Sequence, residues 1–139
     1  MGVVSISELM KMDRGLVKEV PTKEVYAKHL SKILGKRVTV KVKALPGNTY
    51  CSLVGVSKNK KGDLDMTKLY KAQSLIVVEG MVEPSLKDKE LQEHFGAVSP
   101  TDLAAMFFPG GEMVDVYDEI ATLSGYGDED DVDEEVKNS

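Results

Sequence analysis

The sequence predicts an α+β fold: an early β element, a mostly helical remainder and an acidic, disordered C-terminus. Three observations carry this expectation. RVTVKVKAL (Arg37 to Leu45) alternates apolar and polar residues with the period of a strand. From Asp65 onward, apolar residues recur at spacings of three and four between helix-capping residues. The chain then closes on DEDDVDEE, where seven of the eight residues from Asp128 to Glu135 are acidic. That run has no apolar periodicity with which to offset the entropy of ordering.

Taken in chain order, SISE (Ser5 to Glu8) is a capping-box pattern, followed by Leu9, Met10 and Met12. It suits a short N-terminal helix or a docking arm, and Pro21 breaks regular structure after it. EVYAKHLSKILG supports two readings. Val25, Ala27 and His29 alternate as in a strand, whereas Tyr26, Leu30, Ile33 and Leu34 form a helical stripe stopped by Gly35. In the Arg37–Leu45 strand, Val38, Val40 and Val42 face one way and Thr39, Lys41 and Lys43 the other. The turn signal Pro46-Gly47-Asn48 ends it.

After the polar loop SKNKKGDLD, Asp65 caps a helix whose stripe runs through Met66, Leu69, Tyr70, Gln73, Ile76, Val77 and Met81, ended by Pro84. DKELQEHFG offers one or two turns with Leu91 and Phe95 inward and Gly96 as the stop. SPTDLAAMFF has Ser99 as N-cap, Pro100 at the first helical position and Asp102 at the capping-box position. Pro109, Gly110 and Gly111 break the chain. EMVDVYDEIATLSG then places Met113, Val116, Tyr117 and Ile120 on one face, with Gly125 closing it. No solenoid repeat is present. The expected organisation is an N-terminal arm (1–22), one α+β domain (23–125) and an acidic disordered tail (126–139).

Length and composition agree with this. At 139 residues, 42% hydrophobic and 29% charged, the chain suits one globular domain with a modest core. The longest apolar patch, near Ser74 to Val78, is too short to span a bilayer, and no membrane role is expected. The N-terminus lacks the basic and apolar regions of a secretory signal, and Gly2 with Ser5 and Ile6 only partly matches a myristoylation signal. The single cysteine, Cys51, is compatible with a reducing cytoplasm. Charge is polarised: residues 1–61 carry thirteen Lys and Arg against four acids, and residues 62–139 five against nineteen, within a net charge of -5. The favoured reading is that the two halves compensate each other and the tail is solvated.

Chemistry is sparse. His29 and His94 lie far apart on different elements with no second ligand at metal spacing, so they read as ordinary histidines. Cys51 has no local histidine and reads as a small hydrophobe beside Tyr50, Leu53 and Val54. The glycines form no phosphate loop, DEDDVDEE lacks the spaced ligands and glycine of a calcium loop, and Glu90 and Glu93 read as a wet helical face. No reaction follows from these residues; the expectation is a non-enzyme without cofactor or metal. Lys28, Lys32, Lys36, Arg37, Lys41 and Lys43 could track phosphates, but there is little arginine or aromatic surface for base readout. Nucleic acid is therefore not an expected partner.

The stretch from Val82 to Tyr126, with MDRG and VPTKEVYAKHLSKILGKRVTVKVKAL upstream and DEEVKN at the end, resembles the XkdN-like family of phage tail assembly chaperones. The matching features are EP-L-DKEL---FGA--P-DL (Glu83 to Leu103), FPG (Phe108 to Gly110) before the last helix, and I--LSGY (Ile120 to Tyr126). They run in the same order over nearly the full length, and none is catalytic.

The resemblance implies a chaperone that coats the tape-measure protein of tailed phages and prophages, keeps it soluble and helps recruit tail-tube subunits, in the cytoplasm of the bacterial host. A homo-oligomer is compatible with it. It also implies that Lys23 to Ser31 pairs with Arg37 to Leu45 as a β-hairpin, with Lys32 to Lys36 as the connection. Reversible binding of apolar helix faces suits flexible thioethers, which makes Met66, Met81, Met106 and Met113 candidate partner contacts as a set, although for any single one of them an ordinary core position is the favoured reading. Phe107 and Phe108 cannot both face inward on a regular helix, so one of them is expected to be exposed and to serve as a contact. The acidic tail is expected to keep the coated complex soluble. The alternative class is a cytosolic adaptor or regulatory binding module, including a nucleic-acid-binding one.

Overall fold

The structure is a computed structural model that describes residues 2–126; the expected acidic tail from Asp128 lies outside the described residues. A three-stranded antiparallel sheet, order β1-β2-β3, is formed by β1 (Thr22–Tyr26), β2 (Thr39–Lys43) and β3 (Met81–Glu83). Val25 stands opposite Val40, and Val42 opposite Met81. These residues form the sheet's apolar face and are buried, as the alternation in β2 requires.

The helices that cover this core are α5 (Met66–Gly80) and α8 (Gly111–Ala121), with α4 (Gly47–Val54) and α7 (Pro100–Phe107) packed against α5. Side-chain caps start two of them, α5 and α7. Asp65 accepts from the Thr67 N–H at 3.0 Å to start α5. Ser99 accepts from the Asp102 N–H at 3.1 Å to start α7, while Asp102 reaches back to the Val98 N–H at 3.0 Å. Met113, Val116 and Ile120 bury the predicted face of α8, and Gly125, with φ 92°, ends the turn that follows.

The antiparallel pair occurs, but its boundaries differ from the hairpin expected of Lys23 to Ser31. β1 stops at Tyr26, and the connection is a helix, α3 (Lys28–Leu34). The Ala27 N–H donates to the Val38 carbonyl and closes the ladder; Ser31 Oγ then accepts from the Val38 N–H at 2.9 Å and ties the helix to the strand end. Gly35, at φ 70°, stops α3 in the left-handed conformation that favours glycine. Both readings of EVYAKHLSKILG were therefore needed, one after the other.

The turn expected at Pro46-Gly47-Asn48 is instead the entry to α4. What holds this helix is distant. The buried Tyr50 stacks on Tyr126 with centroids 4.1 Å apart, and its hydroxyl lies 3.0 Å from that of Tyr117. Cys51 is exposed. In α6 (Lys89–His94) the inward residue is Gln92, whose Nε2 donates to the Leu86 carbonyl at 2.8 Å; Phe95, expected inward, is 48% exposed.

The segment before β1 forms two single-turn helices, α1 (Ile6–Met10) and α2 (Arg14–Lys18). Ser5 caps α1 through the Glu8 N–H at 3.1 Å, as the capping box predicts. Neither helix has a buried residue.

Candidate functional site

The helix α3 leaves Leu30 half-buried and Ile33 and Leu34 exposed, on a stripe at spacings of three and four. Facing that stripe are Pro84, Leu91 and Phe95 around α6, and Met106 and Phe107 at the end of α7. Together they line a groove of about 390 Å³ whose walls are almost wholly apolar. A ladder of edge-on aromatic contacts braces its floor: Phe95 packs on Phe107 at 5.3 Å, and Phe107 on Phe108 at 6.5 Å. Phe108 is fully buried, so the ladder anchors the groove to the core.

The expected contact residues divide across the molecule. Met106 forms part of the groove wall and is 38% exposed. Met81 and Met113 are core residues, buried against the sheet and helices, and their side chains are not offered at the surface. Met66 is exposed at the start of α5 and does not line the groove. The expectation that Phe107 or Phe108 is exposed is overturned: both are buried. A continuing helix would have turned one of the two rings outward. The helix ends at Phe107, and Phe108 adopts φ -127°, ψ 74°, which turns its ring into the core while Phe107 closes the floor.

Sequence reasoning missed Leu30, Ile33, Leu34, Pro84, Leu91 and Phe95 as groove residues. The signal available was the Leu30, Ile33, Leu34 stripe itself, an apolar face on a helix too short and too surface-bound to bury it.

Around the groove the surface is charged. On one side Lys28, His29 and Lys32 meet Glu112 and Asp115 in a polar cleft, where Glu112 Oε1 accepts from the His29 N–H at 3.0 Å. Lys23 and Glu119 form an ion pair that joins β1 to α8. Asp118, exposed on the same helix, has its pKa raised from the ordinary value, first by loss of some solvation and then by Asp115 and Glu119. Lys41 stands between Glu24 on β1 and Glu83 on β3, and Arg37 lies 4.3 Å from the Tyr26 ring centroid. Among the described residues, Lys23 is the early cation that forms an ion pair with the acidic half of the chain. On the far side of the groove, Glu83, Asp88, Glu90 and His94 line an open acidic depression. Among the described residues no group of three His, Cys, Asp or Glu is placed to hold a metal ion. No described helix is long and apolar enough to cross a membrane.

A sequence model described as phage XkdN-like tail assembly chaperone protein matches residues 6–137. The crystal structure of the protein yqbn is similar in fold, with a TM-score of 0.61 and 25% identity over 89% of this chain and 98% of that one. No curated protein matches the sequence.

Proposed function

This chain belongs to the XkdN-like family of phage tail assembly chaperones, and on that footing we propose that its groove receives an apolar helix face of the tape-measure protein. The observation that carries this reading is the uncovered groove itself. A helix presents apolar side chains at spacings of three, four and seven, and an apolar trough with a firm floor and charged banks is the surface that receives them. Ile33, Leu34, Phe95 and Met106 are all 38% exposed or more and converge on one trough rimmed by charge.

In this proposal the protein acts without catalysis in the cytoplasm of the bacterial host. It covers stripes of a long amphipathic chain that would otherwise self-associate, and it helps bring tail-tube subunits to that chain. The acidic run from Asp128 to Glu135 keeps the coated assembly dispersed by charge repulsion.

The test is co-expression with the tape-measure protein of the same phage or prophage. The expected result is a soluble complex with several copies of this chain per tape measure, and loss of that solubility with Ile33→Asp. Ile33 is 66% exposed, so the substitution should change stability by no more than about 0.5 kcal/mol. A tape measure equally soluble alone would refute the function. Full solubilisation by the Ile33→Asp variant would refute the groove as its site.

A further inference from the structure

We propose that the free edge of β1 receives an extended, lysine- or arginine-rich segment of a partner protein, which adds a fourth strand to the sheet beside α8. The sheet order leaves β1 paired only with β2. At one end of their ladder the Ala44 N–H donates to the Pro21 carbonyl, and at the other the Ala27 N–H donates to the Val38 carbonyl. Residues of an antiparallel pair alternate between bonded and non-bonded positions, so Lys23 and Val25 turn their backbone groups toward β2. Thr22, Glu24 and Tyr26 therefore turn their N–H and C=O groups outward, along an edge that no other described element pairs with. Such a row is a template for another chain unless the strand is blunted.

The two edges of the sheet differ in that respect. β3 is three residues long, shifts register against β2 and runs into Pro84. β1 is five residues long, keeps a regular register with β2 and contains no proline. Between its edge and α8 runs a trench of about 280 Å³. Val25 and Val116 contribute apolar surface to it, and Glu24, Glu112, Asp115 and Glu119 contribute carboxylates. Lys28 stands in the same trench and Lys23 is held by Glu119, so negative charge is in excess. Glu112 sets one carboxylate oxygen against the His29 N–H, while its Oε2 is buried with no partner among the described residues. An unpaired buried acceptor is destabilising, and a donor brought by a partner relieves it.

This pattern selects the occupant. Every second side chain of an added strand turns toward α8, where lysine or arginine meets Glu112, Asp115 and Glu119. Backbone bonds to Thr22, Glu24 and Tyr26 hold the strand, and the charges set which strand is held. A second copy of β1 does not fit. Glu24 is the middle of the three outward-bonding residues, so two-fold antiparallel pairing would place Glu24 opposite Glu24, a destabilising like-charge contact. The trench shares no lining residue with the apolar groove, so this inference stands or falls apart from the proposed function.

The experiment is an NMR titration of the full chain with a short capped peptide that alternates lysine with valine. The amide signals of Thr22, Glu24 and Tyr26 should shift saturably and gain protection from solvent exchange. Glutamate in place of the peptide's lysines should weaken binding by about tenfold or more. N-methylation of one alternate set of peptide amides should abolish binding and N-methylation of the other set should not, because only one set faces β1. On the protein, Glu24→Pro removes an outward N–H and spares the β1–β2 ladder, so it should lose the peptide and keep the parent's circular dichroism. Glu112→Gln combined with Asp115→Asn should weaken the lysine peptide by about tenfold. Should Glu24→Pro unfold the sheet, the methylated peptides, which leave the protein unaltered, decide the matter. Failure of the lysine peptide to bind, equal binding of the glutamate peptide, or indifference to which amide set is methylated would each overturn the proposal. So would a dimer of the chain alone that Glu24→Pro abolishes, since the edge would then belong to a second copy.

Discussion

Gly80 sits where the end of α5 meets α8, and its replacement by alanine sets two physical effects against each other. Within a helix, Gly→Ala ordinarily stabilises by up to about 1 kcal/mol, because glycine has more freedom to lose. Here a Cβ would stand 2.6 Å from Ile120 Cδ1, 2.9 Å from Cγ2 and 3.0 Å from Cγ1. Carbon atoms rest about 3.5–4.0 Å apart, so Ile120 must retreat by roughly 1 Å. It has nowhere to go, being fully buried among the core residues. Overpacking of this kind costs about 1–3 kcal/mol, which exceeds the propensity gain, most of all at a helix end where that gain is reduced. The expected net loss is about 1–2 kcal/mol, read in urea denaturation or as a Tm lower by roughly 4–10 °C. A double-mutant cycle isolates the cause. Ile120→Val removes the nearest carbon and should cost about 0.5–1.5 kcal/mol alone. Combined with Gly80→Ala it should cost less than the sum of the two by at least about 0.5 kcal/mol. A Gly80→Ala protein as stable as the parent, or a strictly additive pair, would refute the close α5–α8 contact.

Burial, and then the Tyr117 hydroxyl, push the Tyr50 pKa well above the ordinary tyrosine value. The folded state therefore holds that proton more tightly, and its stability is lost as pH rises past the ordinary value; in an ultraviolet titration Tyr50 should ionise only with unfolding. Tyr50→Phe should cost about 1 kcal/mol in thermal melts, the worth of one hydrogen bond. The raised Asp118 pKa has the same sign, so stability contributed by its protonated form is lost as pH rises through and above the ordinary aspartate range. Asp118→Asn should stabilise the domain at neutral pH by about 0.3 kcal/mol and weaken the fall in melting temperature as pH rises above the ordinary aspartate value. Deleting residues 128–139 should leave Tm nearly unchanged and lower solubility; a loss of several degrees would show that the tail docks on the domain.

Where local chemistry decides, the sequence alone was sufficient. The alternation in β2, the apolar face of α8, and the caps Ser5, Asp65 and Ser99 depend only on neighbours a few residues away, and each takes the predicted form. The family signature was legible for a related reason, since it resides in an ordered set of short motifs. Tertiary contacts decided the rest. β3 is three residues long, too short for any period, and exists because β2 needed a partner on its open edge. The helix α4 carries turn chemistry at its start and is kept by Tyr50, whose partners Tyr117 and Tyr126 lie far along the chain. The same limit separates the candidate contacts. Periodicity shows which residues share a face, but not whether another element covers it. Met81 and Met113 were covered and Met106 was not, while Leu30, Ile33 and Leu34 became a groove wall because α6 and α7 stop short of closing over them. Burial is a property of the assembled layers, so which apolar face remains for a partner was settled only when the chain packed.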